Sequence, residues 1–124
     1  MEITTQQLDD CDVVKARGRI DSMTAPALEE AFEAITEAGR YRIVFDMSEV
    51  SFISSVGLRV MIDAQKACRR SGGEVVVASL SPLIDRAFDL AGYHSLFEVC
   101  DTVDEAVDHL RSSVSLERGL AVPL

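Results

Sequence analysis

Two adjacent serines, Ser54 and Ser55, stand where the sequence passes from a β pattern to a helical one, and their hydroxyls are the groups best placed to do chemistry. They belong to a stretch from Phe45 to Gly73 that reads FDMSEVSFISSVGLRVMIDAQKACRRSGG. An apolar strand, Arg42 to Asp46, leads into a serine-bearing loop, Met47 to Ser55, and then into a helix expected from about Val56 to Arg70. Gly72 and Gly73 stop that helix, because glycine adopts the left-handed cap at little cost. A hydroxyl delivered to a helix start meets unpaired backbone N–H groups and the positive end of the helix dipole. Two roles are open to it. One is an N-cap, the common use of serine there. The other is to accept a phosphate, which the same position stabilises once it is attached.

Other chemistry is poorly supported. Gly72-Gly73 lacks the Gly-Lys-Ser/Thr continuation of a phosphate-binding loop, and no GxGxxG follows a strand. His94 and His109 have no second ligand at metal spacing, so neither a metal nor a cofactor is expected. Ser55-Val56-Gly57 imitates half of a nucleophile elbow, but Ile53 occupies the position where the elbow needs glycine. His94 does follow Ser55 in the chain order of a triad, which leaves a small serine hydrolase as the weakest of the readings. With 124 residues to build sheet, oxyanion loop and pocket together, no catalytic residue is assigned.

Composition narrows the partners. The chain carries 21 acidic and 12 basic residues, a formal net charge of −9. Nucleic acid and anionic membranes both need clustered Lys and Arg, so neither is expected as a direct partner, whereas a basic protein surface is. The N-terminal stretch MEITTQQLDD has neither the basic region nor the apolar core of a signal peptide, and no apolar run approaches the length of a membrane span. Cys11, Cys68 and Cys100 fit neither a metal pair nor a disulfide framework and read as small core residues in a reducing cytoplasm.

The elements that must position the two serines follow from periodicity. Glu2 to Leu8 and Asp12 to Ala16, separated by Asp9-Asp10, read as an antiparallel hairpin. Gly18 to Asp21 leads to a helix near Thr24, with Pro26 in its first turn and Leu28, Ala31, Phe32 and Ile35 on one face. Tyr41 to Asp46 is a buried central strand. In the next helix Val60, Met61, Ala64, Ala67 and Cys68 share a face. Glu74 to Ala78 is another buried strand. Ser81-Pro82 starts a third helix, with Leu83, Ile84, Ala87, Phe88 and Ala91 expected on its apolar face and Gly92 at its end. Phe97 to Cys100 makes a short last strand, and Thr102 with Glu105 forms a capping box for a final helix lined by Val103, Ala106, Val107 and Leu110. The order β-β-α-β-α-β-α-β-α predicts a single α/β domain over residues 1–112, with a mixed, mostly parallel sheet and about four helices. Residues 113–124 are set apart as a C-terminal tail. Asp21, Ser22 and Thr24 are expected beside Ser55, since both segments leave strand ends on one edge of a parallel sheet. Phe52 and Ile53 are expected in the core, while Met47 and Leu58 are candidates for exposed apolar contact.

With these elements placed, SEVSFISSVGLRVMIDAQKACRRSGGEVVVA resembles the central segment of STAS domains, and most of all that of the bacterial anti-sigma factor antagonists. Gly18-Arg19-Ile20-Asp21 followed by Thr24-Ala25 is similar to the approach to that family's first helix. Ser79-Leu80-Ser81-Pro82, Leu90-Ala91-Gly92-Tyr93 and Leu96-Phe97 are similar to its later third. The likeness runs from about Val13 to Leu110. It implies a cytoplasmic switch protein that binds an anti-sigma factor, typically a serine kinase of the histidine-kinase-like ATPase fold, and so releases a sigma factor. Phosphorylation by that kinase breaks the complex, and a PP2C-type phosphatase resets it. The phosphoacceptor position matches Ser55. Many members carry an aspartate just before it; Ser54 stands there instead and adds a second candidate hydroxyl. The expected partner surface, on the sheet edge shared by both segments, comprises Asp21, Ser22, Thr24, Ser54, Ser55, Gly57 and Leu58. A STAS scaffold in a stress-signalling assembly, with no kinase-controlled sigma release, is the alternative.

Overall fold

The computed structural model describes residues 2–121. Its elements run β1 (Glu2–Gln7), β2 (Asp12–Ile20), α1 (Ala25–Glu37), β3 (Arg42–Ile53), α2 (Ser55–Arg70), β4 (Glu74–Ala78), α3 (Pro82–Ala91), a 3-10 turn (Tyr93–Ser95), β5 (Glu98–Cys100) and α4 (Val103–Ala121). The expected β-β-α-β-α-β-α-β-α order is the one observed, with the 3-10 turn added. Helix α4 carries helical backbone through residues 113–121, part of the stretch set apart as a tail. Residues 122–124 lie outside the described residues.

The five strands lie side by side in chain order, β1-β2-β3-β4-β5. β1 is antiparallel to β2, and every later neighbour is parallel. Right-handed crossovers between successive parallel strands return each helix to the same face. Accordingly α1, α2 and α3 share one core with the side chains of Val14, Ala16, Ile43, Phe45, Val75 and Val77. The alternate residues Val13, Val44, Val76 and Ala78 face the other way and pack under Ala106, Val107 and Leu110 of α4. Phe32 of α1 meets Phe45 of β3 edge to face at 5.4 Å between ring centroids, a favoured aromatic geometry. Cys11 and Cys68 are buried and Cys100 half-buried, the core role expected of them. Burial raises the Cys68 thiol to about 11, so it stays protonated.

Helix α3 is narrower in its packing than its spacing suggested. Ile84 and Phe88 are buried, but Leu83 is 75% exposed and Ala87 and Ala91 face solvent. The strand beside it, β5, has three residues and offers little surface to cover.

The larger correction concerns the loop placed at Met47 to Ser55. Strand β3 continues to Ile53, pairing with β2 all the way, while β4 pairs only with Arg42–Asp46. Two register shifts interrupt the β2–β3 ladder, between Lys15 and Arg17 and between Gly18 and Arg19. Each inserts an unpaired residue into β3, bends it and breaks the alternation by which a strand is recognised in sequence. Buried Asp46 stabilises the first bulge by accepting the Ser48 N–H at 2.9 Å. Met47, a candidate for exposed contact, is fully buried as a result.

Candidate functional site

The site lies at the edge of the sheet where the parallel strands end. Register pairs Arg19 with Phe52 and Ile20 with Ile53, and the Ser54 N–H donates to the Ile20 carbonyl at 2.8 Å. The turn after β2 and the start of α2 are therefore neighbours, so Asp21, Ser22 and Thr24 share an edge with Ser54 and Ser55, as expected.

Within that edge the two serines differ in what the fold asks of their hydroxyls. Ser54 is the N-cap of α2: its backbone is extended (φ −84, ψ 171), and its hydroxyl accepts the Gly57 N–H at 3.3 Å. Ser55 is the first helical residue. It is exposed, and no described residue hydrogen-bonds its hydroxyl. One hydroxyl caps the helix, and the next stands exposed without a described partner.

The turn beside them is internally bonded. The Asp21 carboxylate accepts the Met23 N–H at 3.0 Å and the Thr24 N–H at 3.3 Å. These bonds, led by that from Met23, hold the Asp21 carboxyl below its ordinary range. The Thr24 hydroxyl accepts from the Asp21 N–H at 2.9 Å and donates to the Arg19 carbonyl at 2.8 Å. Asp21 and Thr24 thus shape the turn, and Ser22 and Met23 stand exposed at its tip.

Gly57 and Leu58 occupy the inner side of the first turn of α2. Leu58 is half-buried against the core. Gly57 is buried, and a Cβ there would lie 2.6 Å from Ile20 Cγ2 and 2.9 Å from Ile53 Cγ1. The missing side chain is what lets the helix start sit directly on the ends of β2 and β3. Ile20 is fully buried and has nowhere to move. Gly57→Ala is expected to cost about 1–3 kcal/mol in chemical denaturation through overpacking, with an unchanged m-value.

Three apolar residues are exposed around Ser55, and the sequence reading misplaced one of them and passed over the other two. Of the five large apolar side chains exposed among the described residues, Met23 (89%), Phe52 (39%) and Val56 (46%) sit at this edge. Phe52, expected in the core, instead lies under the Arg19 guanidinium, 4.2 Å from its ring centroid. The second bulge of β3 turns it outward. Concentrated exposed apolar surface marks an interaction site. Met23 in a polar turn, and Val56 off the apolar face of its helix, were the available signals.

Ser55 and His94, the serine and histidine of the hydrolase reading, are not joined by a hydrogen bond among the described residues. His94 Nε2 lies 3.2 Å from Asp85 Oδ1 and its ring packs edge-on to Phe88, with no bond to Ser55. No cluster of three or more His, Cys, Asp or Glu among the described residues is arranged to hold a metal ion. No helix among them is long and apolar enough to cross a membrane.

Comparison with known proteins gives a consistent result. Residues 2–106 match the STAS domain family. The anti-sigma-B factor antagonist of Listeria monocytogenes is 33% identical over 80% of this chain and 86% of its own length. The crystal structure of an anti-sigma factor antagonist from Mycobacterium paratuberculosis superposes with a TM-score of 0.81 at 31% identity, covering 89% of this chain and 93% of that one. The anti-sigma factor antagonist SpoIIAA of Bacillus, solved in unphosphorylated and phosphorylated forms, shares the fold with TM-scores of 0.77 and 0.70 at 18% and 17% identity. Those two structures cover 90% and 88% of this chain, which in turn spans 97% and 99% of theirs.

Proposed function

The chain belongs to the STAS-domain family, and from that premise we propose that it is an anti-sigma factor antagonist whose binding is switched off by phosphorylation of Ser55. It acts in the cytoplasm by occupying an anti-sigma factor that is itself a serine kinase, which frees the sigma factor that partner would otherwise hold. The contact surface is the edge formed by the 21–24 turn, the end of β3 and the first turn of α2, with Met23, Phe52 and Val56 as its apolar contacts. In the switching step the γ-phosphoryl group of ATP passes to Ser55 Oγ. The Oγ–P bond forms as the bond from phosphorus to the bridging oxygen of ATP breaks. ADP leaves, and the hydroxyl proton goes to a base on the kinase. A PP2C-type phosphatase hydrolyses the ester and restores the binding form.

One observation carries this reading: the capping hydroxyl belongs to Ser54, so the exposed hydroxyl of Ser55 is modifiable without unmaking the helix start. The test is mass spectrometry after incubation with the anti-sigma kinase and ATP, on wild type, Ser54→Ala and Ser55→Ala. One added phosphate is expected in wild type and Ser54→Ala and none in Ser55→Ala. Ser54→Ala is also expected to lose about 1 kcal/mol of stability with its cap. A stable complex with no phosphate transferred would overturn the switch and leave a constitutive antagonist or a scaffold component. A phosphate lost only in Ser54→Ala would move the switch to the neighbouring residue.

A further inference from the structure

Beside Ser55 lies a cation that the fold does not use. Ser55, Arg59 and Asp63 follow one another at four-residue intervals along α2 and line a single groove of about 350 Å³ with Ile62, Lys66 and Tyr93. Side chains four residues apart on a helix are neighbours, about 6 Å between Cβ atoms. Arg17, Arg40 and Arg111 each have an ion-pair partner. The Arg59 guanidinium is exposed, and no described residue hydrogen-bonds or ion-pairs with it. Asp63, equally near along the helix, is not within ion-pair distance of it.

Resting on the reading of Ser55 as the phosphoacceptor, we propose that Arg59 receives the phosphate of phosphorylated Ser55 and folds it back along α2 into this groove. An acidic group placed four residues before a basic one is the favourable order on a helix. The planar guanidinium matches a phosphate with two parallel hydrogen bonds. The clamp sends the phosphate toward Ile62 and Tyr93 rather than toward the 21–24 turn. Modification then closes the groove as well as adding charge. The other charged or titratable groups that line the groove are Asp63 and Lys66 on α2 and Tyr93 on the 3-10 turn.

The test installs phosphoserine at position 55 of the full chain during translation and follows the phosphate by 31P NMR as pH is varied. The phosphate's second ionisation in Arg59→Gln is expected about 0.3 pH unit above that of wild type, the size of an i, i+4 ion pair. Arg59→Lys should fall between the two, and Asp63→Asn should shift the midpoint below that of wild type. Raising the salt should shrink every difference. Arg59 and Asp63 are both exposed, so circular dichroism and thermal midpoints of the unphosphorylated variants should match wild type. Equal titration midpoints in wild type and Arg59→Gln would overturn the clamp. Because no kinase is used, that result sinks the clamp alone, whereas failure of kinase transfer to Ser55 sinks the switch alone.

Discussion

Ser55→Glu is expected to weaken the complex with the anti-sigma factor by about two to three orders of magnitude, while Ser55→Ala stays within a few-fold of wild type. Ser55 stands among Met23, Phe52 and Val56, whose exposed apolar surface a partner would cover. A carboxylate drawn into that contact must give up its water against the apolar side chains of Met23, Phe52 and Val56. Burying an unpaired charge at an interface costs several kcal/mol, and about 3–4 kcal/mol corresponds to roughly 100- to 1000-fold in affinity. The fold itself should not suffer, because an acidic residue in the first turn of a helix is favourable there. Isothermal titration calorimetry with purified partner, beside a thermal melt of each variant, separates the two effects. Wild-type affinity in a well-folded Ser55→Glu protein would place the contact surface elsewhere.

The second large effect is on stability. Gln65 is 3% exposed, and its carboxamide is fully used. Its Oε1 accepts the Val75 N–H at 2.6 Å, and its Nε2 donates to the carbonyls of Val75 at 3.1 Å and Leu96 at 2.8 Å. β5 pairs only with Val76–Ala78, so the side chain supplies Val75 with the donor and acceptor that β5 does not reach. Gln65→Leu keeps the volume and leaves the Val75 N–H and carbonyl without partners. The Leu96 carbonyl retains the Arg69 guanidinium at 3.1 Å. Leaving buried backbone groups unpaired costs about 1–3 kcal/mol each, so a loss of about 2–4 kcal/mol is expected in urea denaturation. A loss below about 0.5 kcal/mol would show that the contact is replaced by water.

These residues also mark what a reader of the sequence could see. The helices were legible where apolar spacing is strict: Leu28, Phe32 and Ile35 on α1, and Val60, Met61, Ala64 and Cys68 on α2, all buried. Capping chemistry was legible too. Ser81 accepts the Ile84 N–H, and Thr102 accepts the Glu105 N–H. The upper half of β3 was not, because two bulges erase its period and its exposed Ser48, Glu49 and Ser51 look like a loop. Gln65 was hidden by its polarity, although it falls four residues after Met61 and three before Cys68, on the buried stripe. For the site, the proximity of Asp21 to Ser55 followed from strand order alone. Which of Ser54 and Ser55 caps α2 needed backbone angles, since either residue satisfies a serine preference at a helix start.

The order of the strands has a kinetic meaning. Because β1 to β5 are neighbours in space in the order in which they occur in the chain, each strand finds its partner one hairpin or one crossover back. No pairing waits for a distant segment, so the loop closed at each step stays short and its entropic cost small. Sequential order keeps the contact order below that of a sheet whose strands interleave, although each parallel pairing still spans a whole crossover. During synthesis, every strand that emerges finds its docking edge already made, and the growing sheet presents a single unfinished edge to its surroundings.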